Sequence, residues 1–150
     1  MLFRSAQVLG DDHVLLVRLH PNVVDGAPEH PLVYDVSAYP DISELYLISD
    51  VMISDYSSVM FDFANTGRPM LFFTYDLAHY RDKLRGFYFD FEAEAPGPLL
   101  ESSGELIEAL RSLDSVSQSY GKAYEAFVDR FCSLEDGKAA ARVVDRVFPG

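Results

Sequence analysis

In the segment SDYSSVMFDF, residues 54–63, two carboxylates, Asp55 and Asp62, bracket the adjacent hydroxyls of Ser57 and Ser58. A helix beginning at Ser57 or Ser58 carries free N–H groups and about half a positive charge at its first turn, so hydroxyls and amides together can wrap phosphate oxygens. Serine is also among the best helix caps, and a plain N-cap at Ser57 is the competing reading. Asp62 stands one turn deeper on the same face, too negative to sit against a phosphate. It can accept hydrogen bonds from sugar or glycerol hydroxyls; a solvated aspartate or an ion pair with Arg68 is the alternative. Asp55 either orients a serine or amide of the turn or only stabilises that turn.

A second group lies upstream in RLHP, residues 18–21. Arg18 offers a planar fork of donors suited to bidentate phosphate binding, and at the end of a buried strand it needs an anion as partner. His20, held out of helical geometry by Pro21, can donate to a phosphate or act as the acid that helps a leaving group; a structural histidine is the plain alternative. His13 and His30 carry no such signal. In LAHYRDKLRGFYFDFE the aromatics read as packing over the sheet edge rather than as a site.

The elements that must position these groups follow from apolar runs and their punctuation. HVLLVRLH (13–20) reads as a buried strand with Arg18 and His20 at its C-terminal end, and PLVYDVS (31–37) as a second. Pro40 and Asp41 open a helix through ISELYLIS, with Ile42, Leu45, Tyr46 and Ile48 inward. VMISD (51–55) is the third strand, followed by the helix VMFDFANTG with Val59, Met60 and Phe63 inward and Gly67 as its stop. PMLFFTYD (69–76) is the fourth strand, and FYFDFE (87–92) a further short edge strand. Beyond the loop APGP (95–98), three helices follow in SSGELIEALRSL, SVSQSYGKAYEAFVDRF and DGKAAARVVDRVF, with Ser103 and Asp136 as caps. Near-continuous apolar strands alternating with helices predict an α/β fold, a doubly wound, mostly parallel sheet covered on both faces. Ligands of such sheets gather beyond the carboxyl ends of the strands, here His20, Ser37, Asp55 to Ser58, and Tyr75 to Asp76.

Composition narrows the ligand. The chain of 150 residues is one domain's worth, with 49% hydrophobic and 24% charged residues, ordinary globular usage. Its 12 basic and 24 acidic residues give a formal net charge of -12, which repels nucleic acid and anionic lipid. A phosphate site must therefore be local, built from one or two cations and backbone N–H groups, which points to a small ligand. Cys132 is the only cysteine, so no intrachain disulfide or multi-cysteine zinc site forms, and a reducing, cytoplasmic setting is expected. MLFRSAQVLG lacks the apolar core of a signal peptide, and no run approaches the ~20 apolar residues of a spanning helix.

The combination of RLHP (18–21), YDVSAYPDISELYLISDVMISDYSSVMFDFANTGRPMLFFTYDL (34–77) and RGFYFDFE (85–92) followed by APGP resembles the CDP-glycerol glycerophosphotransferases, the wall teichoic acid primases and polymerases. The resemblance runs roughly from His13 to Phe148, with SDVMISDYSS its most specific block. It implies a Rossmann-like fold, the C-terminal half of a two-domain glycosyltransferase of the GT-B type, and thus one nucleotide-donor-binding domain over residues 1–150. Its first strand and partner N-terminal domain are expected to be missing. Carried over by motif, Arg18 and His20 hold the donor's phosphates, Ser57 and Ser58 the pyrophosphate, and Asp62 the hydroxyl-bearing part, with His20 also catalytic. Implied partners are CDP-glycerol or CDP-ribitol, a lipid-linked glycerol phosphate acceptor at the inner membrane face and the N-terminal half. No nucleic acid, cofactor or metal is implied.

Two other readings stand beside this one. The chain can be a noncatalytic remnant or regulatory partner that keeps nucleotide binding. It can also be a phosphoacceptor signalling domain using Asp55, although the acidic pair on an earlier strand and the later strand-end lysine that such chemistry needs are lacking.

Overall fold

The computed structural model describes residues 13–20, 26–77 and 89–148. Strands β1 (Leu15–Val17) and β2 (Val33–Asp35) pair in parallel, Leu15 opposite Val33 and Val17 opposite Asp35. The Leu19 amide donates to Ser37 Oγ at 3.0 Å, which carries the pairing past the last ladder residue. Helix α1 (Ile42–Ile48) starts where the Asp41 carboxylate accepts the Ser43 amide at 2.8 Å. Leu45 is buried, but Ile48, expected inward, is 67% exposed. Six residues beyond Ile42 places it about 240° around the helix, off the inner face.

Strand β3 (Met52–Ser54) leads into α2 (Val59–Phe63), which tightens through a turn over Ala64–Thr66 and stops at Gly67, left-handed at φ 70° as its position predicts. Strand β4 (Met70–Phe73) is buried along its whole length and lies between β3 and β5 (Leu99–Leu100), all parallel. Alternation sends Met70 and Phe72 to one face, with Met60, Phe63, Phe91 and Phe127. Leu71 and Phe73 go to the other, with Leu100, Leu106 and Ala109. Helices α4 (Ser103–Arg111) and α5 (Leu113–Phe131) supply Leu106 and Phe127 to these opposite faces, and α6 (Ala139–Val147) closes the described chain. The expected α/β, doubly wound parallel arrangement is therefore the one observed. The described strands form two ladders, β1-β2 and β3-β4-β5.

Three local expectations are corrected. Of the strand expected over 87–92, residues 87 and 88 lie outside the described residues, and Phe91–Glu94 is instead a short helix, α3. The Asp90 carboxylate caps it by accepting the Ala93 amide, and the turn buries Phe91 edge-on against Phe72 with ring centroids 5.2 Å apart. The strand in this region is β5, two residues long and unexpected. At α4 the cap is Ser102, not Ser103: Ser102 Oγ accepts the Glu105 amide while the Glu105 carboxylate accepts the amides of Ser102 and Glu101. Asp136 does not cap α6 either, since Lys138 holds that position; the Asp136 carboxylate accepts the Lys138 amide at 2.9 Å and pairs with Arg142.

Two stability measurements follow from this packing. A Cβ at Gly97 would lie 2.0 Å from the Met70 carbonyl oxygen, so Gly97→Ala must push β5 off β4. Urea denaturation should show a loss of about 2–3 kcal/mol, and an unchanged midpoint contradicts this packing. The Tyr124 hydroxyl donates to the Ala64 carbonyl at 3.0 Å, and burial pushes its phenol up to about 12. A raised phenol favours the neutral form in the fold, so its contribution is complete below pH ~10 and lost as pH rises towards ~12. Tyr124→Phe should flatten that alkaline decline in Tm; an identical decline in both proteins would exclude Tyr124 as its source.

Candidate functional site

The carboxyl ends of β1 and β3 carry the expected site residues. Arg18 is exposed, and its Nη1 donates to the Tyr39 carbonyl at 2.6 Å and weakly to the Val36 carbonyl at 3.5 Å. The expectation that Arg18 lacks a protein partner is thus corrected: the turn between β2 and α1 folds back and offers it neutral carbonyls. A phosphate is a stronger partner for a guanidinium than a carbonyl, so these bonds are exchangeable. His20 is exposed two residues further along.

At the end of β3, the Asp55 carboxylate accepts the Ser57 amide at 3.1 Å, which is the turn-stabilising role. Ser57 Oγ accepts the Val59 amide only at 3.5 Å. Ser58 occupies the N-cap position of α2 with helical dihedrals, and its hydroxyl makes no capping bond. The plain-cap reading therefore leaves the Ser58 hydroxyl without a task. The turn is braced from β4: the Tyr56 hydroxyl donates to Asp76 at 2.7 Å, and burial first, then Asp76, raises its pKa far above a free phenol's.

Asp62 is exposed, and no ion pair with Arg68 forms. Arg68 Nη1 instead donates to the carbonyls of Tyr46, Leu47 and Ser49 at 3.2, 2.7 and 2.7 Å, closing the C-terminal end of α1, where a cation is favoured. This bonding holds Tyr46, whose ring meets Phe63 edge-on with centroids 5.7 Å apart. The Tyr46 hydroxyl is buried without a hydrogen-bond partner. Burial raises its pKa; the Asp62 charge raises it further and the Arg18 charge lowers it. The charges of Arg18, from the β1-β2 ladder, and of Asp62, on the helix that follows β3, thus act on one phenol in opposite senses.

Arg18 bonds to the Val36 and Tyr39 carbonyls and shares no hydrogen bond with Ser57, Ser58 or Asp62. Sequence reasoning missed the roles of Tyr46, Arg68 and the Tyr56–Asp76 bond. For Tyr46 a signal exists, a polar tip on an inward helical position. A groove of about 590 Å³ lies at the other end of α2, beside Gly67, lined in part by Glu125, Asp129 and Glu135. Its negative charge opposes a phosphate, which favours the strand ends over this groove for an anionic ligand.

A family model described as CDP-glycerol:poly(glycerophosphate) glycerophosphotransferase matches residues 2–149. The chain belongs to this family. It is 49% identical over 150 residues to a teichoic acid poly(glycerol phosphate) polymerase of Bacillus subtilis, covering 98% of this chain and 20% of the relative. It is 50% identical over 143 residues to a teichoic acid glycerol-phosphate transferase of Staphylococcus aureus, covering 95% of this chain and 37% of the relative. A solved structure of the wall teichoic acid polymerase TagF superimposes with a TM-score of 0.85 at 43% identity, over 98% of this chain and 37% of that one. This glycerophosphotransferase-family chain thus spans between a fifth and two fifths of the proteins it matches.

The Arg68 bonding yields a prediction for the scaffold of the site. Arg68→Met should cost about 2 kcal/mol by urea denaturation, because three carbonyls lose a charged donor, and Arg68→Lys should recover part of it. Equal stability of Arg68→Met and the parent would contradict the bracing role.

Proposed function

We propose that this chain is the donor-binding part of a glycerophosphotransferase that transfers glycerol phosphate from CDP-glycerol to a lipid-linked teichoic acid acceptor, releasing CMP. The observation that carries this reading is the family match over residues 2–149, with Arg18 and His20 following the carboxyl end of β1 and Ser57 and Ser58 following that of β3. Arg18 and His20 hold the phosphates from one side; Ser57 and Ser58 receive the pyrophosphate from the other. Asp62 accepts from the polyol hydroxyls, away from the phosphate charge.

In the reaction, a terminal hydroxyl of the acceptor attacks the β-phosphorus. A new P–O bond forms, the bond to the bridging oxygen of CMP breaks, and the hydroxyl proton passes to a base. His20 supplies a proton to the departing CMP oxygen. Arg18 and the first turn of α2 stabilise the charge that gathers on the phosphoryl oxygens. Positioning from the acceptor side falls to the remainder of a full-length enzyme, and a lipid-linked acceptor places the work at the inner face of the membrane. No described helix is long and apolar enough to cross a membrane. CDP-ribitol presents a similar hydroxylated chain on the same diphosphate and is the alternative donor. A noncatalytic nucleotide-binding role is the second reading. Turnover of a lipid-linked acceptor by the 150 residues alone would refute it.

Calorimetry with CDP-glycerol tests the donor site. Arg18→Ala and Ser58→Ala should each weaken binding about tenfold, in line with loss of a hydrogen bond to a charged group. Affinities equal to the parent's in both variants would rule the site out.

A further inference from the structure

Tyr46 presents a cost that its packing does not explain. Its ring lies edge-on to Phe63 at 5.7 Å, a contact a phenylalanine would make equally well. The added hydroxyl is buried, and no protein group bonds it. A buried donor without an acceptor is unfavourable, so a tyrosine here is a worse choice than phenylalanine for stability alone. Its main chain is nonetheless pinned, because the Tyr46 carbonyl accepts from Arg68 at 3.2 Å. The ring is held by its contact with Phe63, and the charges of Asp62 and Arg18 both act on its phenol.

Those charges differ in what they can take from a phenol. Arg18 is a donor only, and its Nη1 is engaged by the Tyr39 and Val36 carbonyls. Asp62 is an acceptor, exposed, without an ion pair, and adjacent in sequence to the Phe63 that Tyr46 packs against. An exposed aspartate swings between rotamers, and holding one of them requires a donor from the protein. The hydroxyl of Tyr46 is a buried, uncommitted donor, and its ring rests on Phe63, the residue next to Asp62.

We propose that Tyr46 is a positioning residue for polyol selection: its hydroxyl donates to the Asp62 carboxylate when that carboxylate engages the donor's glycerol, fixing the oxygen that accepts the glycerol hydroxyls. This rests on the donor-site reading and adds to it a residue that acts through Asp62 rather than by touching phosphate. The hydroxyl then contributes to telling CDP-glycerol from plain CDP, and nothing to holding the diphosphate.

The test is calorimetry of the parent, Tyr46→Phe, Asp62→Asn and the double variant with CDP-glycerol and with CDP, alongside thermal unfolding. Tyr46→Phe should unfold at or above the parent's Tm, bind CDP unchanged and bind CDP-glycerol about fivefold more weakly, the size of one net hydrogen bond. The double variant should be no weaker than Asp62→Asn. Unchanged CDP-glycerol affinity in Tyr46→Phe, an equal loss for both ligands, or a lowered Tm would each overturn the proposal. A parent that binds neither ligand would instead overturn the donor-site reading itself, an outcome distinct from all three.

Discussion

Burial of β4 on both faces decides where this chain can do chemistry. Met70, Leu71, Phe72 and Phe73 are all sequestered, alternately against α2 and α5 on one side and α4 on the other. No polar side chain fits along such a strand without leaving a group unsatisfied. Polar residues are displaced beyond its carboxyl end and that of β3 beside it, to Asp76 and the turn from Asp55 to Ser58, while Thr74 next to β4 stays buried with its hydroxyl unpaired. Parallel pairing, Met52 opposite Met70 through Ser54 opposite Phe72, puts both ends on the same edge. The Tyr56–Asp76 bond then fastens one strand end to the other.

The β1-β2 ladder reaches this edge differently. It is more exposed than β3-β4-β5, and part of its connection to the rest runs through α1. Arg18 grips the turn into α1, Arg68 grips the end of α1, and Tyr46 of α1 packs on Phe63 of α2. Two arginines thus hold the approach to α1 and its C-terminal end through backbone carbonyls. These partners are neutral, so a diphosphate can compete for Arg18 without breaking an ion pair. An arrangement of this kind suits a site assembled from two sides of a seam.

Much of this is legible in the residues themselves. Strands β1 to β4 announce themselves as apolar runs, and Gly67 and Asp41 mark helix ends by chemistry that needs no tertiary information. The S-x-x-E spacing of Ser102 and Glu105 is also readable as a capping box, and it favours Ser102 over Ser103 as the cap. Other features depend on contacts distant in sequence. Leu99–Leu100 is too short to show a period and becomes a strand only because β4 offers it an edge. Phe91 alternates as a strand would, yet Asp90 capping and burial against Phe72 turn it into a helix. The site residues are nameable from charge and position, whereas the carbonyl partners of Arg18 and Arg68, some twenty residues away, follow from the fold alone. The orphaned hydroxyl of Tyr46 belongs to the same class: its position on the inner face is readable, its neighbours are not.

In the proposed function, the ligand class follows the chain's relatives and one diphosphate bridges two strand ends. A crystal structure of the chain with CDP-glycerol tests that claim most directly. The account predicts the diphosphate between Arg18 and His20 on one side and the hydroxyls and amides of Ser57 and Ser58 on the other, with glycerol towards Asp62. A ligand bound through only one of these groups, with the other turned to the far side of the molecule, would contradict it.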